Sequence, residues 1–403
     1  MAKKKDDNKE LNVKGKKANI KIDKDDVSIK VKGKKKVKVP TKIAITVVSI
    51  VLVIAITMVA CYCFIAPFKI FVDDLLGIKK IQTANGELNV HFVDIGQGDF
   101  IIIQLPDGKN MLIDAGSDAK GNREEPQKDT VINKINELKI KTFDYLMLTH
   151  TDSDHVDYLD DVLTTYKVLN IYRPMFLSKS EKEAEPNSKF ASVDTVTYDN
   201  FIKAVNAEVK DEGATVIMNN SKAEPIEGAG YRIDFYNVPE SDYYKETVGQ
   251  TPSGYKSNAV SPITILTFKG ENEVERKIAF TGDAEGKDSS VGNGAELDFI
   301  ERNKLKKFDI DVIKAGHHGS DTSTSNAILD FLDPEYCVVS VASKNTHKHP
   351  RPQFIDRITN YKDKNIKDDN DGILGLYMTK DKGDILLNIN KQAVMNWSFQ
   401  INA

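Results

Sequence analysis

The pattern of apolar and polar positions divides the chain into three stretches. Residues 12–40 alternate apolar and basic positions, as in Ile20-Lys21-Ile22 and Ser28-Ile29-Lys30-Val31-Lys32. Period-two alternation is a strand signature, so a short hairpin is one reading; a solvated polybasic tail is the other and the one we expect. Residues 43–66 then run for 24 positions without a charge, bracketed by Lys42, Pro67 and Lys69. At about 1.5 Å rise per residue such a helix crosses a hydrocarbon core of about 30 Å. No later run approaches that length, so one transmembrane helix is expected. A cleaved signal peptide has a shorter leader and an apolar core of only about 7–15 residues, and Met58-Val59-Ala60-Cys61 resembles a lipobox only loosely.

Beyond a juxtamembrane linker (67–86), residues 87–403 show strands and helices in alternation. Apolar runs predict strands over 88–95, 100–105, 111–113, 145–148, 263–268, 278–281, 309–313, 336–341, 373–378 and 385–389. Helical spacing predicts helices over 126–139, 198–208, 325–332 and 352–361. Pro106-Asp107-Gly108-Lys109 is a turn of the kind that joins antiparallel strands. Residues 178–194 and 239–258 read as exposed loops. Strands interleaved with helices after an opening meander predict an α/β fold of two sheets flanked by helices.

Charge changes the picture. Residues 1–66 hold 16 Lys against 6 acidic residues, which leaves 40 basic and 54 acidic residues, a net of −14, in 67–403. The lysines of the tail, residues 1–42, favour its retention in the cytoplasm, with the rest of the chain outside the cell. An acidic globular part opposes binding to long nucleic acid, which relies on basic residues that release counterions. Lys344, Lys348 and Arg351 form only a thin basic strip. The cysteines give no disulfide framework: Cys61 and Cys63 lie in the apolar run and Cys337 in a predicted strand.

Three predicted strand ends carry chemistry. His150-Thr151-Asp152-Ser153-Asp154-His155 follows an apolar strand and precedes an acidic helix. A loop there lets residues at i, i+2, i+4 and i+5 point into one pocket, and imidazole with carboxylate suits Zn, Mn or Fe. Helix capping explains the acids but neither histidine. Thr281-Gly282-Asp283 sets a second carboxylate past a strand, and Gly316-His317-His318-Gly319-Ser320 adds paired histidines between glycines. Elsewhere His91 reads as a packing histidine, Trp397 as core, and Asp94 and Asp99 as pocket lining or parts of a tight turn.

These segments resemble the metallo-β-lactamase superfamily. Within it they are most similar to the extracytoplasmic metallo-hydrolase domain of ComEC-type DNA-internalisation competence proteins. The resemblance rests on Asp94-Ile95-Gly96-Gln97-Gly98-Asp99, Leu112-Ile113-Asp114-Ala115-Gly116, the His150 segment, Thr281-Gly282-Asp283, His317 to Ser320, and His349-Pro350, in that order across 88–400. It implies an αββα sandwich and a site for two divalent ions. His150 and Asp152 would hold the first, and Asp154, His155 and one of His317 or His318 the second. Asp283 would bridge. We assign His317 to the metal and His318, beside Asp154 and Asp283, to catalysis. Asp114 would brace the metal loop, and Gly319, Ser320, Asn258, Ser261 and His349 would contact substrate, with Thr322 joining Gly319 and Ser320 at a phosphate. The chain departs from the branch in having one span instead of a channel domain, and no histidine from 156 to 316. A carboxylate, Asp152, in place of an imidazole hardens the site and favours Mn over Zn.

The resulting expectation is a membrane-anchored phosphodiesterase or nuclease using a hydroxide shared by two ions about 3.5–4 Å apart. DNA is one candidate substrate, and a channel partner is open. The alternatives are a hydrolase of a small phosphorylated or ester substrate of the cell envelope, and a non-catalytic, metal-stabilised surface domain.

Overall fold

The computed structural model describes residues 11–14, 18–22, 26–31, 37–40, 42–43, 46, 57, 85–116, 127–188, 190–218, 223–236, 257–286, 294–361, 373 and 375–400. The chain forms two compact units, Met1–Lys80 and Ile81–Ala403. The expected membrane span, 43–66, lies outside the described residues apart from single helical positions at 43, 46 and 57. Among the described residues no helix is long and apolar enough to cross a membrane. Most of the linker 67–86 is likewise outside them.

The first unit corrects the expected tail. Strands β1 (Leu11–Lys14), β2 (Ala18–Ile22), β3 (Asp26–Val31) and β4 (Val37–Pro40) form an antiparallel meander. Its register sets Val13, Ile20, Ile29 and Val37 in one row and Asn12, Lys21, Ser28 and Lys38 in the next. Four consecutive alternating segments supply strands that pair along their backbones; one segment alone has no such partner.

The second unit opens with β5 (Leu88–Phe92), β6 (Phe100–Gln104) and β7 (Asn110–Ala115), then helix α1 (Gln127–Glu137) and β8 (Thr142–Met147). A short helix α2 (Ser153–Val156), α3 (Leu159–Thr165) and β9 (Lys167–Arg173) follow. Residues expected as an exposed loop, 178–194, instead include helix α4 (Lys179–Ala184), between strands β10 (Leu177–Ser178) and β11 (Ser192–Val193), which pair in parallel. The helix starts because Ser178 and Glu181 form a reciprocal capping box, a polar signal inside a polar stretch. Helix α5 (Val196–Glu212) and β12 (Thr215–Met218) complete this half.

The other half contains β13 (Ile226–Gly228), β14 (Tyr231–Tyr236), β15 (Ile263–Lys269), β16 (Glu275–Phe280), α6 (Ala295–Asn303), β17 (Val312–Lys314), α7 (Asn326–Leu332) and β18 (Tyr336–Val339). Helix α8 (Pro352–Thr359), β19 (Gly375–Met378), α9 (Thr379–Lys382), β20 (Asp384–Ile389) and β21 (Met395–Gln400) end the chain's described part. One sheet has the order β12-β9-β8-β7-β6-β5-β20-β21, the other β13-β14-β15-β16-β17-β18-β19.

Burial sorts these elements into layers. On β6, Phe100 and Ile102 pack under α1, α3 and α5, whereas Ile101 and Ile103 join a core shared by both sheets. On β15, Leu266 and Phe268 enter that shared core, and Ile263 and Ile265 pack under α6, α7 and α8. Both faces of β6 and β15 are thus dry, which explains strands that read as unbroken apolar runs. Helix α5 shows the matching logic: Tyr198, Phe201, Ile202 and Val205 repeat at helical spacing and are buried. Each such side chain contributes about 1.5–3 kcal/mol by leaving water. The architecture is a mixed α/β sandwich, helices outside and two sheets inside.

Candidate metal centre

The ligand-type residues meet where β8, β16 and β17 end. Asp152 precedes α2, and Asp154 and His155 lie within it. Asp283 comes three residues after β16. His317 and His318 occupy a 3-10 turn at Gly316–Gly319 with φ of 47° and 52°. Non-glycine residues in this left-handed region cost about 1–3 kcal/mol each. The turn is held from several sides: His317 N–H donates to Gly282 O (3.1 Å), Gly316 N–H to Thr324 Oγ1 (3.0 Å), and Ser323 Oγ–H to Gly316 O (2.5 Å).

His150, His155 and Asp283 form one group of close ligand-type atoms, and Asp154, His155 and His318 a second. His155 Nε2 lies 3.2 Å from His318 Nε2 and 3.3 Å from Asp283 Oδ1. Asp154 Oδ2 is 3.2 Å from His318 Nε2. His150 Nε2 stands 3.8 Å from Asp283 Oδ2 and 3.9 Å from Asp152 Oδ2. Asp283 therefore faces both groups, one oxygen toward each.

The surrounding bonds aim these rings. Asp114 accepts from Thr149 N–H (2.7 Å), Thr149 Oγ1–H (2.6 Å) and His155 Nδ1–H (2.8 Å). His318 Nδ1–H donates to Ser340 O at 2.9 Å. With both Nδ1 atoms donating, the Nε2 atoms of His155 and His318 are left 3.2 Å apart as candidate ligands for one cation. His150 Nε2 and Asp283 Oδ1 are buried without a hydrogen-bond partner, a cost that a bound cation removes. The residues present fit divalent metal.

Electrostatics follow from this crowding. Burial lowers His150 to about 4. Burial, then the charge of Asp154, pushes Asp152 up to about 6. For Asp154, burial is outweighed by the bond to His318 and the charge of His155, which hold it well below the usual carboxylate range. Burial opposes charge on His155 too, yet Asp283 and Asp114 raise it well above its ordinary value. Asp283 stays far below the carboxylate range for the reciprocal reason: burial is overcome by His155, His317 and His318.

The paired histidines differ from expectation. His318 is buried and stands among the ligand-type atoms, whereas His317 is 25% exposed, with Nε2 3.7 Å from Asp283 Oδ2. Adjacent residues in the left-handed region send their rings apart, here at 72°. Among the described residues the geometry thus sets His318, and not the expected His317, in a group of ligand-type atoms. His317 is partly exposed beside that group, its Nδ1 3.0 Å from Glu285 Oε1 and its ring 5.2 Å from His349.

The hydroxyls of two expected phosphate donors, Ser320 and Thr322, are committed elsewhere. Ser320 Oγ bonds Thr322 Oγ1 at 2.8 Å, Thr322 Oγ1–H donates to Glu285 Oε1 at 2.5 Å, and Ser320 N–H donates to His317 O. Gly319 accepts Arg351 N–H on its carbonyl. The Thr322 hydroxyl thus steadies Glu285, and through it His317. Ser261 lies under the first group: its Oγ accepts from Asp283 N–H (3.1 Å) and lies 3.3 Å from His150 Nδ1. Asn258 is buried one turn earlier, and its carbonyl accepts Ser261 N–H. His349 is buried beside His317 with Nδ1 unpartnered. His91, expected to pack, is on β5 with Nε2 3.2 Å from Gln104 Oε1.

The sequence reading missed Lys314, Glu285 and Ser340. Lys314 is fully buried at the end of β17 and bonds Asp99 across the two sheets. A lysine ending the run Val312-Ile313-Lys314-Ala315, directly before the histidine pair, was the available signal. Glu285, two residues after Asp283, offered a weaker one. Ser340 acts through its carbonyl, which no sequence pattern reports.

The family model described as the metallo-beta-lactamase superfamily matches residues 93–230. That stretch, about a third of the chain, is where the resemblance to the superfamily lies. The chain is 23% identical over 311 residues to ComE operon protein 3 of Bacillus subtilis (strain 168), covering 74% of this chain and 34% of that protein. It is 24% identical over 282 residues to recombination protein 2 of Haemophilus influenzae, covering 70% and 28%. The chain thus spans about a third of the length of these curated relatives. A crystal structure described as a new diphosphatase from the PhnP family aligns at a TM-score of 0.35 and 15% identity, over 72% of this chain and 94% of that one.

Proposed function

We propose that this protein is a metal-dependent phosphodiesterase holding two divalent ions. The observation that carries the reading is the pair of ligand-type groups, His150, His155 and Asp283 beside Asp154, His155 and His318, joined at His155. His150, Asp152 and Asp283 would hold one ion, and Asp154, His155 and His318 the other, with Asp283 serving both. When bound, such ions supply Lewis acidity and neutralise charge that develops on a phosphoryl group. A donor set this rich in carboxylates favours Mn²⁺ over Zn²⁺. Asp154, held ionised, also orients the attacking water. His317, fixed by Glu285, meets the substrate beside His349.

The names of the relatives, a ComE operon protein and a recombination protein, support a nucleic-acid substrate. The net charge of −14 over 67–403 favours a small diester over a long strand. The full chain loaded with Mn²⁺ is expected to hydrolyse bis-p-nitrophenyl phosphate and to lose that activity in EDTA. Chain that binds metal yet cleaves neither this diester, cyclic dinucleotides nor DNA would overturn the reading. Cleavage of long DNA at physiological salt would instead reject the small-diester preference.

We also infer a single membrane anchor at 43–66, with residues 1–42 in the cytoplasm and the metal centre outside the cell. The uncharged run and the flanking lysines support this. External protease on intact cells is expected to remove the metal-binding unit and leave an N-terminal tag protected. Protection of both ends would contradict the orientation, and release by carbonate would contradict the anchor.

A further inference from the structure

The ring of His155 is shared by candidate ion groups on opposite sides. On the outer side Nε2 faces Asp283, His318 and Asp154. On the inner side Nδ1 faces Asp114 Oδ2 at 2.8 Å and Asp99 Oδ2 at 3.8 Å. Asp99, Asp114 and His155 are all buried, and their ligand-type atoms lie as close together as those of the outer groups. One Asp99 oxygen, Oδ1, is buried without a hydrogen-bond partner. The inner group therefore has the donors of a metal site, and one feature sets it apart. Lys314, wholly buried on the opposing sheet, lays its ammonium on Asp99 Oδ2.

We propose that Lys314 is the resident cation of this inner group, and that it confines divalent ions to the Nε2 side of His155. The inference rests on the metal reading given above. Burying an ammonium costs several kcal/mol unless a well-placed anion offsets it, and here the anion belongs to the acidic group itself. The lysine is covalently fixed, so it neutralises Asp99 without exchanging and without opening a coordination position. It also protects the His155–Asp114 bond. An ion on Nδ1 would break that bond and free the ring that Asp114 orients. Because Asp99 precedes β6 in one sheet and Lys314 ends β17 in the other, the pair also ties together the two halves that supply the outer donors.

The test is equilibrium dialysis of the full chain against Mn²⁺ with metal counted by mass spectrometry, alongside thermal unfolding with and without Mn²⁺. Lys314→Met keeps length and removes charge. It is expected to bind about one more ion per chain than wild type, and to gain more in Tm on Mn²⁺ addition. The double variant Asp99→Asn/Lys314→Met loses both charges and should return to wild-type stoichiometry. Should Lys314→Met fold only in Mn²⁺, counting after refolding in the metal decides in the same way. Asp99→Asn alone leaves an unpaired ammonium near the His155 and His318 rings and should weaken Mn²⁺ binding about tenfold or more. Wild-type stoichiometry in Lys314→Met, or unchanged affinity in Asp99→Asn, overturns the proposal. Wild-type chain that binds no Mn²⁺ would overturn the metal reading, and this inference with it.

Discussion

Asp283→Asn is expected to lower kcat/KM for a phosphodiester by about 1,000-fold or more, equivalent to about 4 kcal/mol of transition-state stabilisation. The size follows from position. Oδ1 lies 3.3 Å from His155 Nε2 and 3.8 Å from His318 Nε2, while Oδ2 lies 3.8 Å from His150 Nε2. No other carboxylate among the described site residues faces both groups with separate oxygens. Asparagine keeps the shape and one oxygen, but turns the other donor into an N–H that repels a cation. The backbone N–H to Ser261 Oγ is untouched, so the loop should stay in place. Circular dichroism should therefore match wild type while both metal occupancy and kcat fall. Activity within tenfold of wild type at saturating Mn²⁺ would show that the two groups do not act through a shared residue.

The contrast between what could and could not be read from the sequence has a physical basis. The His150 segment was legible because a strand end followed by four ligand-type side chains is a local pattern, and the loop need only turn them inward. The helices α5, α7 and α8 were legible for the same reason, each carrying its own apolar period. Strands β9, β14 and β21 mix polar and apolar positions, because their burial is incomplete. The choice between His317 and His318 depends on backbone angles that neighbouring side chains impose from Ser323 and Thr324. Lys314 and Asp99 are 215 positions apart, and their pairing exists only once the two sheets face each other. Thr322 looked like a free donor because its acceptor, Glu285, lies 37 positions earlier in the chain, and Ser320 because its hydroxyl pairs with Thr322. Long-range satisfaction of buried polar groups is what a single sequence conceals.

The second large effect is expected from a residue with no side chain. A Cβ on Gly116 would lie 2.3 Å from His155 N, 2.4 Å from Ser153 O and 2.5 Å from Asp154 C, all backbone atoms. No side-chain rotation relieves such contacts, so Gly116→Ala must push the end of β7 away from the metal loop. The same crossing is stitched by Gly116 N–H to Asp99 O (3.2 Å) and Asp99 N–H to Asp154 O (3.0 Å), with Tyr158 N–H on Ala115 O (2.8 Å) beside it. Overpacking of a dry interior costs about 1–3 kcal/mol and at times more, and the rigidity here places Gly116→Ala at the upper end, about 3 kcal/mol. The displaced loop carries Asp152, Asp154 and His155, and a shift of about 1 Å in catalytic groups costs about 100-fold in rate. Denaturant unfolding and Mn²⁺-dependent kinetics on the same preparation separate the two effects. Stabilising additives should recover folded Gly116→Ala but not its kcat, because the loop stays displaced in the folded protein. Wild-type kcat in the refolded variant would mean that the metal loop tolerates the shift, and that the close approach at Gly116 serves folding alone.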